Sequence, residues 1–308
     1  MSAITGNSGG LLAVDWGTSS FRLSVLDAAG NVQQQSHSDR GVAQMPREQL
    51  LPYLCGEIAA LPENARLLPV IICGMAGSTI GLQEVPYHRC PVDPQQLADA
   101  LARLDSAELN ASIVPGLCAR NGRGELEVMR GEETQIAGWL AQASEAELGS
   151  SWLCLPGTHS KWVEIKQGRV QGFRTAMTGE LYALLGKHSV LVQGEQEFSV
   201  EAFAAGRAAA DDNLSVDLFT ARTRVLDQRL LPQHSAAYLS GLLIGAEIRA
   251  QRDALDSVAG VHLIGDRRIT DLYQRALAGE DIESHRHDGA ELALKGLWQL
   301  YLRSNSND

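Results

Sequence analysis

Asp15, Gly17, Thr18, Ser19 and Ser20 stand together between two apolar runs, Leu11 to Val14 and Phe21 to Leu26. A plain hairpin would be closed by Asn-Gly or Asp-Gly. This turn instead offers one carboxylate, small hydroxyls and free backbone N–H groups, a set suited to a phosphate and its magnesium ion. A second turn of the same kind, "LPGTHSKW" (155–162), repeats the Gly-Thr pair as Gly157-Thr158 and adds His159 and Lys161. Backbone amides in such turns point at an anion. Two of them facing each other would grip the tail of a nucleotide from both sides, with Lys161 adding charge. His159 is then a polar loop residue or a phosphate contact. His159 and Ser160 do not make a nucleophile–base pair, because adjacent strand residues point to opposite faces.

"VMRGEETQIAGW" (128–139) opens a helix with Glu132 and Glu133. Acids in a first turn complement the helix dipole. Facing a cleft, either would also accept the proton of a sugar hydroxyl. Arg130 beside them suits a substrate carboxylate, held by a two-point contact. "CGMAGSTIGLQEVPYHRCP" (73–91) follows a strand and is too rich in glycine for a helix. It reads either as a long connector or as a loop whose backbone approaches a ligand closely. Thr178, Gly179 and Glu180 start another helix, as caps or as ligand contacts. Two tempting matches fail. "LLGKHS" lacks the earlier glycine of a phosphate-binding Walker loop, and no G-x-G-x-x-G follows a strand. His285 and His287 share a strand face, but Asp288 as a helix cap explains "SHRHDG" better than a metal does.

The elements that must position these groups come in a repeating order. Residues 11–38 read as three strands, with a turn at Gly30-Asn31 and a polar edge strand last. A helix over 46–61, a strand at 69–73, a helix over 93–104 and a strand at 112–116 follow. After the Gly-rich link "RNGRGE" come a helix from Glu132, a strand at 151–157 and a hairpin over 161–175 turned at Gln167-Gly168. Helices follow near 178–187, 196–209 and 234–253, then a strand at 260–266, a helix from about 270, a strand at 281–285 and a last helix with Leu294, Leu297, Trp298 and Tyr301 on one face. Three strands and then alternating helices and strands, twice over, predict two α/β lobes with a cleft between them. The lobes are expected at 1–117 and 118–308, with the last helix free to pack back on the first.

The chain of 308 residues has room for both, and 44% hydrophobic residues fill two cores. A net charge of −11 argues against nucleic acid or an anionic membrane as partner. Five scattered cysteines without a C-x-x-C pair read as reduced thiols in the cytosol. The start "MSAITGNSGG" lacks a signal peptide's basic residues, and no apolar run approaches the roughly 20 residues that span a bilayer.

The paired Gly-Thr turns on two such lobes resemble the ribonuclease H-like fold of the actin-like ATPase and sugar-kinase superfamily, with mixed sheets and an interlobe cleft. "AVDWGTSSFR", "CGMAGS", "VPYHRCP", "VPGL", "VMRGEETQ", "LPGTHSKWV" and "MTGELYALL" together resemble the 2-dehydro-3-deoxygalactonokinase family over residues 11 to about 192. The resemblance implies ATP-dependent phosphorylation of the C6 hydroxyl of 2-dehydro-3-deoxy-D-galactonate in galactonate catabolism, in the cytoplasm. It implies Asp15 near Mg2+, directly or through a water. Gly17, Thr18, Ser19, Gly157, Thr158, His159 and Lys161 would lie on the phosphates, and Gly265 with Asp266 at the adenosine. Arg22, Met75, Ala76, Gly77, Ser78 and Arg130 would lie on the sugar acid, with Glu132 or Glu133 as base. Where many superfamily members carry two glycines, Gly265 is followed by Asp266. Other readings of the same chain are a kinase of another 2-keto-3-deoxy sugar acid, an ATPase or phosphatase of this fold, and a non-catalytic sugar sensor. A homodimer is an open expectation.

Overall fold

The computed structural model describes residues 9–211, 213–255 and 260–306. The start of the N-terminal segment inspected above for a signal peptide, residues 1–8, lies outside them. The chain forms two compact units. The first takes in the chain up to Leu148, Gln167–Gly172 and the residues from Gly289 onward; the second takes in Gly149–Lys166 and Phe173–Asp288.

The first unit begins with β1 (Leu11–Trp16), β2 (Phe21–Leu26) and β3 (Val32–Ser38), then α1 (Arg47–Ala59) and α2 (Glu63–Arg66). β4 (Val70–Gly74), β5 (His88–Arg89), α3 (Pro94–Asp99), β6 (Ala102–Arg103) and β7 (Ala111–Ile113) follow. β8 (Leu117–Arg120), β9 (Leu126–Met129), α4 (Glu132–Leu140) and α5 (Glu145–Gly149) close the segment. Its main sheet runs β3-β2-β1-β4-β7-β6. β1 is antiparallel to β2 and parallel to β4, and β4 is parallel to β7. Leu12, Val14 and Trp16 join Ile72, Ile113 and the α1 stripe Leu50, Leu54 and Ile58 in one core.

The second unit holds β10 (Ser150–Leu155), β11 (Ser160–Lys166) and, from Phe173 on, β12 (Arg169–Ala176), then α6 (Thr178–His188), α7 (Val200–Ala209), α8 (Leu214–Asp217) and α9 (Thr220–Leu226). α10 (Ser235–Arg249), α11 (Arg252–Leu255), β13 (Val261–Gly265), α12 (Arg267–Ala278) and β14 (Ser284–Asp288) complete it. The sheet runs β12-β11-β10-β13-β14. This is the strand order of the first unit again, with β10 antiparallel to β11 and parallel to β13. Gln167 and Gly168 turn the β11–β12 hairpin with φ of 53° and 67°, the left-handed pair that a tight two-residue connection requires. α13 (Gly289–Ser304) leaves this unit and packs on α4, α3 and β1 of the first.

Several elements differ from the sequence reading. The helix expected over 93–104 stops at Asp99. Its start is well made, with Pro94 at its first position and a reciprocal capping box between Asp93 and Gln96. Ala102–Arg103, however, pairs antiparallel with β7, and sheet pairing overrides the helical stripe. The stretch around "RNGRGE" is more than a link: it turns the β8–β9 hairpin, which with β5 forms a third sheet. Residues 118–148 accordingly fall in the first unit, not after a boundary at 117. The strand expected at 281–285 lies at Ser284–Asp288, and the long helix over 234–253 divides into α10 and α11.

Two helix crossings depend on absent side chains. A Cβ on Gly138 of α4 would overlap the Leu292 carbonyl, and one on Gly296 of α13 would overlap that of Thr134. α7 and α10 cross in the same way through Gly206 and Gly241. Gly296→Ala is therefore expected to destabilise the protein by about 2 kcal/mol or more. Gly56→Ala, on the exposed face of α1 with nothing within 4 Å of the added methyl, should instead stabilise it by about 0.5–1 kcal/mol. Denaturant midpoints of the two variants measure both signs.

Candidate active site

In the first unit, β1 is buried along its length except at Asp15, one residue before its end, which is half-buried. Arg22, its register partner on β2, donates to Asp15 Oδ2 at 2.9 Å. With both side chains partly exposed, this pair is worth little to stability and leaves the carboxylate at the rim. The Gly17 N–H closes the turn on the Ser20 carbonyl at 2.9 Å. Val42 and Ala43 N–H groups take the Gly17 and Thr18 carbonyls from behind, and Thr18 and Ser19 stay exposed.

On β4, Cys73 lies opposite Asp15 in register, its thiol 3.8 Å from Asp15 Oδ1. Burial first, then the charges of Asp15 and Glu133, hold that thiol well above its ordinary value. Gly74 follows at φ 83°, where a Cβ would stand 2.6 Å from the Trp16 carbonyl oxygen. The chain then coils into a 3₁₀ turn at Met75–Gly77, with Ala76 and Gly77 buried. The Ser78 hydroxyl donates to the Met75 carbonyl at 2.7 Å.

Arg130 closes this group. Its guanidinium lies over the Tyr87 ring, 4.5 Å from the centroid, and Nη2 donates to the Val85 carbonyl at 2.7 Å. Nη1 stands 2.6 Å from where a Gly77 Cβ would be, so the cation lies in space that Gly77 leaves open. Among the described residues, its buried Nε and Nη1 have no hydrogen-bond partner. Unsatisfied buried donors on a cation are costly and call for an anionic acceptor.

The two glutamates at the start of α4 differ. Glu132 is partly exposed, and its Oε2 accepts the Arg130 N–H at 3.1 Å. Glu133 is 1% exposed. Its Oε2 accepts the Gly131 N–H at 2.6 Å, and Oε1 has no partner among the described residues. Burial, then the neighbouring charge of Glu132, pushes its pKa up to about 8.

In the second unit, Gly157, Thr158 and His159 are exposed beyond β10. The first turn of α6 lies against them: the Glu180 N–H donates to the Thr158 carbonyl at 3.0 Å, and a side chain on Gly179 would overlap the Gly157 carbonyl. His159 Nε2 and Glu180 Oε2 lie 2.5 Å apart. Lys161, expected at the phosphates, is not in this exposed group. It lies within β11, 5% exposed, and its ammonium donates to Thr175 Oγ1 at 3.2 Å.

Beside Gly157 and Gly179 opens a cavity of about 140 Å³. Its walls are mainly apolar: Tyr182 and Phe198, then Ser240, Leu243 and Ile244 of α10, and Ile269, Leu272 and Tyr273 of α12. Gly265 and Asp266, expected at the adenosine, do not line it. Asp266 is instead the N-cap of α12, accepting the Arg268 N–H at 2.8 Å, so that helix starts at Arg267 rather than near 270. The α10 and α12 wall residues were missed because both trios follow i, i+3, i+4, the spacing of an ordinary core stripe.

Among the described residues no group of three or more His, Cys, Asp or Glu side chains is arranged to hold a metal ion. His262 joins His285 and His287 on one sheet face, with His262 Nδ1 3.0 Å from His287 Nε2. No helix among the described residues is long and apolar enough to cross a membrane.

Two units of one strand order, each with a Gly-Thr turn after its central strand, define the ribonuclease H-like fold of actin-like ATPases and sugar kinases. The comparisons agree. The activator of the 2-hydroxyisocaproyl-CoA dehydratase from Clostridium difficile, solved with bound ADPNP, shares this fold at TM-score 0.53 and 11% identity, over 97% of each chain. A crystal structure from Sinorhizobium meliloti, provisionally named a 2-dehydro-3-deoxygalactonokinase, matches at TM-score 0.86 and 34% identity, over 96% of this chain and 99% of that one. A Rhizobium meliloti (strain 1021) protein named as a probable 2-dehydro-3-deoxygalactonokinase is 37% identical, covering 92% of this chain and 94% of its own. The 2-dehydro-3-deoxygalactonokinase of Escherichia coli (strain K12) is 33% identical over 86% of this chain and 88% of its own. The model of the 2-keto-3-deoxy-galactonokinase family matches residues 15–300, and the chain belongs to that family. It is a sugar kinase and, as such, an ATP-using phosphotransferase.

Glu133 makes the stability of this enzyme pH-dependent. Its ordinary value of 4.5 applies unfolded and about 8 folded, so the native state holds the extra proton. The resulting stabilisation is complete below about pH 4.5 and is lost as pH rises through about 8. Glu133→Gln removes this term. The variant should gain stability relative to the parent between about pH 5 and pH 8, read from denaturant midpoints across that range.

Proposed function

We propose that this enzyme transfers the γ-phosphoryl group of ATP to the C6 hydroxyl of 2-dehydro-3-deoxy-D-galactonate in galactonate catabolism, in the cytoplasm. The observation that carries the acceptor side is Arg130: a guanidinium whose buried Nε and Nη1 have no partner among the described residues, two residues before an accessible carboxylate. A sugar acid brings a carboxylate for the one and a hydroxyl for the other. The names of the relatives support the same substrate.

The base is Glu132. A base must come within hydrogen-bond reach of the proton it takes. Glu132 is partly exposed, whereas Glu133 is sealed and holds its own proton at neutral pH. On the donor side, the cavity beside Gly157 takes the base of ATP, flat and mostly apolar, with Tyr182 and Phe198 as ring-bearing walls. A relative in fold was solved with ADPNP, which supports nucleotide binding by this architecture. Gly157, Thr158 and His159 lead from that cavity and receive the phosphates.

Asp15 fits a magnesium ion, which needs only one or two protein carboxylates beside phosphate oxygens and water. Bound there, it would neutralise charge on the phosphate oxygens. The protein's own work is positioning. Arg130 fixes the acid, Glu132 takes the hydroxyl proton as the oxygen attacks, and alignment supplies much of the remaining rate.

Coupled ATP turnover across a panel of 2-keto-3-deoxy sugar acids tests the assignment. The galacto acid should give the highest kcat/KM; a higher value for another member names a different acid as substrate. ATP cleavage that is equally fast without any sugar acid would identify an ATPase instead. Glu132→Gln should lower kcat by about 10²–10⁴ while ATP still binds. Arg130→Ala should raise KM for the acid by about tenfold or more with a smaller effect on kcat. A Glu132→Gln enzyme within a few-fold of the parent would overturn the assignment of the base.

A further inference from the structure

Glu247 lies in the middle of α10, 5% exposed, and none of the steps above uses it. A buried carboxylate is costly unless it is saturated with donors, and this one is. Trp162 Nε1 donates to its Oε1 at 2.7 Å, and the Tyr273 hydroxyl donates to its Oε2 at 2.6 Å. The hydroxyls of Thr178 and Ser160 face the same carboxylate. Burial pushes its pKa up, and the hydrogen bonds from Thr178, Tyr273 and Trp162 pull it back. Because Tyr273 spends its only proton on Glu247, the 2.8 Å bond between Ser160 Oγ and the Tyr273 oxygen is donated by Ser160. The result is one ordered chain, Ser160 to Tyr273 to Glu247, with Trp162 and Thr178 converging from the sides.

The donors come from the parts that shape the cavity and the exposed loop. Ser160 and Trp162 begin β11, directly after Gly157-Thr158-His159. Thr178 is the first residue of α6, whose Gly179 and Glu180 lie against that loop, and Thr178 itself lines the cavity. Tyr273 is a cavity wall on α12. Glu247 touches neither the cavity nor the exposed loop, yet it bonds the elements that carry them.

We infer that Glu247 is a positioning residue for nucleotide binding: it fixes the loop after β10, the start of α6 and the α12 wall in one arrangement that accepts ATP. This rests on the reading of that cavity as the nucleotide site. Without the carboxylate, the Trp162 and Tyr273 donors lose their shared acceptor and the three walls lose their common tie. Glutamine can keep the network. Its amide oxygen accepts from Trp162, and its NH₂ donates to Tyr273, which accepts.

The test compares Glu247→Leu with Glu247→Gln in the full-length enzyme, by KM for ATP, kcat, KM for the sugar acid and thermal midpoint. The leucine variant should raise KM for ATP by about tenfold or more, with kcat and the acid's KM changed by less than about threefold. The glutamine variant should restore KM for ATP to within about threefold of the parent. Ser160→Ala, a small deletion outside the cavity wall, should raise KM for ATP in the same direction and keeps the test open if the leucine variant does not fold. A folded leucine variant with the parent's KM for ATP overturns the inference, as does an equal rise for both substrates. With the leucine variant unfolded, an unchanged KM in Ser160→Ala overturns it. A parent that binds no ATP overturns the nucleotide reading and this inference with it. A parent that binds ATP as its leucine variant does overturns the inference alone.

Discussion

The central strand of each sheet, β1 and β10, is packed on both faces, and that constraint governs where chemistry can sit. A strand buried on both sides has no room for an unpartnered polar group along its length. The polar side chain on β1 therefore comes one residue before its end, as Asp15. The exposed groups after β10 wait until Gly157. The parallel neighbours β4 and β13 end at the same edge of their sheets, as parallel pairing requires. The loop after β4, with Met75–Gly77, thus lies near the end of β1, at the carboxyl edge where ligands of open α/β sheets bind. Gly74 makes that approach feasible, because its φ of 83° and the nearby Trp16 carbonyl exclude a side chain.

Within the first unit, adjacent acids on one helix meet opposite fates. Both bend back to the N–H groups ahead of α4, which are short of acceptors at a helix start. Glu133 continues into the core and keeps its proton near neutrality, while Glu132 remains at the surface. The same sequence pattern therefore yields one accessible carboxyl and one buried carboxyl whose pKa is raised, as environment rather than residue type decides in paired carboxylates. The helix carrying them is held hard. Its crossing with α13 brings backbone against backbone at Gly138 and Gly296, so small shifts of the glutamates meet immediate steric resistance.

The second unit solves a different problem, how to keep an apolar cavity open beside a polar loop. Side chains from α10 and α12 form walls at helical spacing, and the polar atoms behind them are tied together at Glu247. The α7–α10 crossing at Gly206 and Gly241 sets α10 on its inner side. The cavity is thus bounded by elements tied to one another behind its walls.

Much of this was readable from the residues alone. Continuous apolar runs marked β1, β4, β10 and β13, because burial on both faces demands them. The repeated Gly-Thr turn announced the duplicated architecture, and "VMRGEETQ" marked Arg130 and the two glutamates as a unit. These are local patterns, and local patterns survive translation into structure. What needed the tertiary structure was everything set by distant neighbours. Ala102–Arg103 became a strand because β7 lay beside it, against its own helical stripe. Lys161 turned inward to Thr175 and Asp266 became a cap. The difference between Glu132 and Glu133 came from burial, which adjacent identical residues cannot reveal. The walls of the cavity looked like core in the sequence, because a helix face lining a pocket and one filling a core share a single periodicity; only the presence or absence of packing across that face separates them.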